Sequence, residues 1–108
     1  MLDEAQFRLY CDETLEALSK ALARPSEELG FDVDLGNGTL KIEFEESGRR
    51  FVVSPQTPVR QLWVSAHARS FKLDWDPERK TFTLPGGETL AALIARQISD
   101  EIGAPVNL

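Results

Sequence analysis

The chain has one cysteine, one histidine and only short apolar runs. A lone Cys11 rules out an intramolecular disulfide and any multi-thiolate metal site. A lone His67 likewise rules out a histidine-rich cluster or a two-histidine iron site within the chain. Short apolar runs leave no segment able to span a bilayer as a helix. Basic charge is in deficit, with 12 Lys and Arg against 18 Asp and Glu and a formal charge of −6. Such a surface disfavours sequence-independent nucleic-acid binding, which needs bases to displace counterions, and it disfavours anionic membranes. The first ten residues hold Asp3, Glu4 and Arg8 but no apolar core of a secretory signal. The expected compartment is the cytoplasm, or an organelle matrix if a presequence has been removed.

What is present fits one globular domain over residues 1–108, at 42% hydrophobic and 28% charged. The charge is uneven. Residues 1–46 hold 12 acids and 4 bases, a net of −8, whereas residues 47–108 hold 6 acids and 8 bases, a net of +2.

Phe7, Cys11, Leu15, Leu18 and Leu22 recur at helical spacing, which predicts an amphipathic helix over residues 3–23. Asp3 is its expected N-cap, and Pro25 is expected to end it. Strict alternation predicts strands over 31–35 and 39–45, joined at Gly36-Asn37-Gly38. Further strands are expected at 49–54, 61–65, 71–75 and 81–84, with a connector bracketed by Pro55 and Pro58. Leu90, Leu93, Ile94, Ile98 and Ile102 predict a second amphipathic helix ended by Gly103. The order gives an α+β class: an α-β sandwich with an antiparallel sheet of five to six strands. The N- and C-terminal helices pack on one face, leaving the other wet. Strand parity then assigns Lys41, Glu43, Arg50, Val52, Ser54, Gln61, Trp63, Ser65, Lys72, Asp74, Thr81 and Thr83 to the wet face.

Two constellations are candidates for carrying chemistry. The first is acidic: Asp12, Glu13 and Glu16 at helical neighbour spacing, Glu27 and Glu28 in the loop that follows, and Asp32 and Asp34 on one side of the first strand. A carboxylate-only set suits hard cations, and it lacks the glycine-punctuated loop of an EF-hand. Solvated acids on a helix face and an edge strand account for the same pattern. The second is Trp63, an aromatic on a polar face beside Gln61, Ser65, Arg50 and Lys72. It reads as an interface anchor, or as a residue covered by another segment, or as core if the parity slips by one. Cys11 falls on the apolar stripe, His67 reads as a surface residue in a loop over 66–70, and no catalytic triad is legible.

Gln56, Pro58, Gln61, Trp63 and Ser65 reproduce the Q-x-P…Q-x-W-x-(S/A) segment of the frataxin family, including its bacterial CyaY-type members, which the chain resembles. The acids around Thr14-Leu15, the run Phe31-Asp32-Val33…Gly36…Gly38…Leu40, the aspartate-containing strand at 71–75, and Gly87…Leu90…Leu93 follow in family order. The chain departs from it with Ser54-Pro55 in place of an asparagine and with Ala66-His67-Ala68-Arg69-Ser70 in place of a Ser-Gly pair. The resemblance implies the α-β sandwich and a role in iron–sulfur cluster assembly. It implies weak binding of ferrous and ferric iron at Asp12, Glu13, Glu16, Asp32 and Asp34, with Glu27 and Glu28 added here as neighbours. It also implies docking on the cysteine desulfurase and the scaffold protein through Gln56, Gln61 and Trp63, with Lys72 as the adjacent base. No organic cofactor is expected. A non-enzymatic monomeric regulator is the leading expectation, with iron-dependent oligomers allowed. Ferroxidase or iron storage, and a metal-independent interaction module, are the alternatives.

Overall fold

A computed structural model describes residues 2–108. Helix α1 spans Glu4–Leu29, where Asp3 accepts from the Gln6 amide at 2.7 Å and the Gln6 side chain completes a capping box. Six strands follow: β1 (Asp32–Gly36), β2 (Thr39–Glu43), β3 (Arg50–Gln56), β4 (Gln61–Ala66), β5 (Arg69–Asp76) and β6 (Thr81–Thr83). A 3-10 turn, Thr57–Val59, joins β3 to β4, and α2 closes the chain at Leu90–Ile102. The strands pair in sequence order, every pair antiparallel. No helix among the described residues is long and apolar enough to cross a membrane.

The core lies between the sheet and the two helices. Phe7, Cys11, Leu15, Leu18 and Leu22 of α1 and Leu90, Leu93, Ile94 and Ile98 of α2 are buried against Leu40, Ile42, Phe51, Val53, Leu62, Val64, Leu73 and Phe82. Tyr10 extends this layer by stacking on Trp75, centroids 4.2 Å apart.

Four expectations are corrected. Pro25 does not end α1; the helix runs four residues beyond it and stops at Gly30, whose φ of 78° gives the left-handed cap. Its N–H donates to the Ser26 carbonyl at 2.9 Å, while the Ser26 hydroxyl donates to the Ala23 carbonyl at 2.7 Å. The proline is half-buried and lines a cleft with Pro105 and Val106, and the helix continues through it although proline supplies no N–H to the carbonyl one turn back. Pro55 belongs to β3 rather than to a connector. Pairing with β2 ends at Val53, so no ladder donor is required of Pro55 on that side. Thr83, expected on the wet face, is buried and bridges to Thr89 ahead of α2.

The fourth correction concerns His67. The stretch at 66–70 is a two-residue hairpin turn, with His67 at φ 51° and Ala68 at φ 60°. That left-handed pair ordinarily calls for Asn-Gly, so the turn has no sequence signature here. Long-range contacts supply what the residue types do not. His67 Nδ1 lies 2.9 Å from Gln97 Oε1, and Nε2 lies 2.7 Å from Glu101 Oε1. Far from being a surface residue, His67 fastens the β4–β5 turn to α2.

Burial raises the Glu101 carboxyl, but hydrogen bonds from Ser47, His67 and Arg49, together with the Arg49 charge, outweigh it and hold it below the usual glutamate range. A depressed carboxyl stabilises the fold above the ordinary glutamate pKa of about 4.3 and ceases to do so as pH falls through the folded value. Glu101→Gln is expected to cost about 1 kcal/mol at pH 7 and to flatten the acid limb of a stability–pH profile measured by urea melts. Burial, aided by the Asp12 charge, pushes the Cys11 thiol up to about 12. A thiol reagent at pH 8 is expected to leave the folded protein unlabelled and to react rapidly once urea unfolds it.

Candidate functional site

The acidic residues occupy two levels of one edge. Asp12, Glu13 and Glu16 are exposed on α1, which packs against β1. Glu27 and Glu28, expected in a loop, are exposed in the last turns of α1, because the helix continues past Pro25. Asp32 and Asp34 are exposed on the edge strand β1, opposite Glu43 and Lys41. Between them Val33 is half-buried against the core, so alternation turns both aspartates to the open face of the sheet, away from the helices.

Each basic residue of α1 already faces a glutamate: Arg8 with Glu4 at 3.8 Å, Lys20 with Glu16 at 3.4 Å and Arg24 with Glu28 at 3.5 Å. These are exposed i,i+4 pairs and contribute only tenths of a kcal/mol. Asp12, Glu13, Asp32 and Asp34 have no such partner among the described residues, so the negative field of the edge is uncompensated there. Among the described residues, no three His, Cys, Asp or Glu side chains come together as an ion-holding group. The edge is a spread of hard oxygen donors. It suits loose, multiple cation contacts, not a closed coordination shell.

The second surface is the open face. Cross-strand register aligns Ser54, Trp63 and Lys72 in one row and Gln56, Gln61 and Asp74 in the next. Trp63 is half-buried and points away from the helices, so the strand parity holds and the core alternative falls. Its indole Nε1–H donates to Gln61 Oε1 at 2.9 Å, and the Lys72 ammonium lies 4.8 Å from the ring centroid. Gln61 Nε2 donates to Asp74 Oδ1 at 3.1 Å, and Gln56 Nε2 donates to the Ser54 hydroxyl at 3.3 Å. Gln56, Gln61, Trp63 and Lys72, separated by up to 16 positions, thus form one patch. Sequence reasoning placed Asp74 and Ser54 on this face without giving them a part in it. The available signal was parity; what was missing was the register set by the His67-Ala68 turn.

This topology thus presents an exposed carboxylate edge and, on the open sheet face, a tryptophan held among polar side chains. The family model of the frataxin-like domain matches residues 1–104. The chain belongs to the frataxin-like family.

Within that family it is 35% identical over 109 residues to the iron-sulfur cluster assembly protein CyaY of Pseudomonas fluorescens SBW25, covering 98% of this chain and 94% of that one. The protein of the same name from Pseudomonas syringae pv. tomato DC3000 is 33% identical, with coverage of 98% and 94%. A solved structure of frataxin from Psychromonas ingrahamii superposes with a TM-score of 0.77 at 18% identity, over 98% of this chain and 97% of that one. At that identity the likeness concerns the fold: two helices on a six-stranded antiparallel sheet.

Proposed function

We propose that this frataxin-like chain works in iron–sulfur cluster assembly in the cytoplasm, as a non-enzymatic adaptor that holds iron loosely as cargo and docks on the cysteine desulfurase and its scaffold protein. The observation that carries the reading is the coexistence of two separate surfaces on one frataxin fold: the carboxylate edge and the Trp63 patch. The names of the relatives support the pathway.

The two surfaces act by different physics. The edge works at a distance. Its uncompensated carboxylates attract a basic partner and loosely held cations, both weakened as salt shortens the Debye length to about 10 Å at 0.1 M. The Trp63 patch works on contact, because a large aromatic fixed in a polar rim is the usual anchor of a protein interface. Iron, a hard cation in its ferric state, would meet Asp12, Glu13, Glu16, Glu27, Glu28, Asp32 and Asp34 as oxygen donors only.

A second reading, a docking module indifferent to metal, is favoured by the lack of any three-ligand grouping among the described residues. Ferroxidase chemistry would need carboxylates bridging two irons. The split of these acids between the helix and the open sheet face supports binding without oxidation, which oxygen-uptake measurements with Fe(II) test.

Replacing Asp12, Glu13 and Glu16 by Asn, Gln and Gln is expected to lower the on-rate to the desulfurase about tenfold at low salt, with the difference closing as salt rises. An NMR titration with Fe(II), Ca(II) and the desulfurase reads the same edge. Salt-insensitive desulfurase binding that survives all three substitutions overturns the electrostatic account. Trp63→Ala is expected to weaken scaffold binding by about 30-fold, a loss of about 2 kcal/mol measured by calorimetry. Normal iron binding in that variant separates the two surfaces. A triple acid variant that supports cluster assembly as well as the parent favours the metal-independent module.

A further inference from the structure

We infer that Asp74 is a positioning residue that fixes the orientation of the Trp63 indole by way of Gln61. The inference deepens the docking role proposed for this face and rests on it only for its consequence in binding. The three side chains form a chain of hydrogen bonds with a single allowed polarity. An indole N–H can only donate, an ionised carboxylate can only accept, and the Gln61 amide between them does one at each end. Its carbonyl must therefore face Trp63 and its NH2 must face Asp74. Were the amide to turn over, its NH2 would meet the indole N–H and its carbonyl would meet the carboxylate. Both contacts would be repulsive. Without Asp74, only the first would oppose the flip.

The register makes the arrangement a built one. Gln61 stands opposite Asp74 and Trp63 opposite Lys72, so β5 braces two successive outward residues of β4. Lys72 holds the indole by its face and Gln61 holds it by its edge. Asp74 has no Lys, Arg or His within 4.0 Å among the described residues, so Gln61 is its one side-chain partner there. The indole is thereby fixed before any partner arrives, which reduces the ordering cost of binding.

The test reads the Trp63 indole N–H in a proton–nitrogen NMR spectrum of the full chain, assigned with Trp63→Phe. Asp74 is exposed, so Asp74→Ala is expected to leave the fold intact. That variant is expected to move the indole resonance upfield and to raise its hydrogen-exchange rate about fivefold, while Asp74→Asn, which keeps an acceptor oxygen, restores most of both. In a Gln61→Ala background, Asp74→Ala is expected to change neither. An indole signal that ignores Asp74→Ala, or that responds equally without Gln61, overturns the inference. Calorimetry with the scaffold protein supplies the second arm, where Asp74→Ala is expected to weaken binding roughly fivefold. If the indole responds but Trp63→Ala binds the scaffold as tightly as the parent, the positioning stands and the docking role of the face fails. If Trp63→Ala loses binding while the indole ignores Asp74→Ala, the docking role stands and the positioning fails.

Discussion

One-sided burial is the constraint on which this fold depends. Six strands at about 4.8 Å spacing make a sheet roughly 25 Å wide. Two helices side by side, each about 10 Å across, cover most of one such face and leave nothing for the other. The remaining face must live in water, so alternate residues of every strand are freed from packing. Those positions hold serines, threonines, glutamines and charges, with Gly36, Val52 and Trp63 as the exceptions in residue type and the buried Thr83 as the exception in exposure. Trp63 stands where packing against the helices does not require it, held by one hydrogen bond to Gln61 and by the Lys72 ammonium over its ring.

The same constraint separates the charges. A helix laid on the sheet has a dry stripe and a wet back, and the wet back of α1 collects the acids. Its own bases stand one turn from a glutamate and cancel it locally. The excess resides in residues without such a neighbour: nine of the twelve acids in the first 46 residues remain, and with Lys41 they carry the net of −8. Because β1 ends the sheet, its aspartates lie within one strand of the helix without joining the helix acids. The edge is broad and divided.

Where a property depends on period, the sequence was legible. The apolar stripes of both helices and the alternation of β2 to β5 identified the buried set, because a slip by one residue would have exposed every large side chain. Where a property depends on a distant partner, it was not. Pro25 reads as a stop by local sterics, yet the helix runs through it to Leu29, and that error moved Glu27 and Glu28 from helix to loop. The His67-Ala68 turn has no glycine to announce it. Its stability comes from α2, some 30 residues away, through Gln97 and Glu101. Without that turn the register was hidden, and with it the meeting of Gln61 with Asp74. Strand parity found Gln61, Trp63 and Lys72, the family resemblance added Gln56, and the structure supplied their mutual contacts.

The scarcity of histidine has a practical consequence. A protein with a single imidazole gives one set of imidazole ring-proton resonances, and in this fold that set belongs to the joint between the β4–β5 hairpin and the C-terminal helix. Whatever lands on the Trp63 face presses on the same hairpin from the opposite side. The molecule therefore carries a native, label-free gauge, readable in any complex, of whether strain on the sheet reaches the helices behind it.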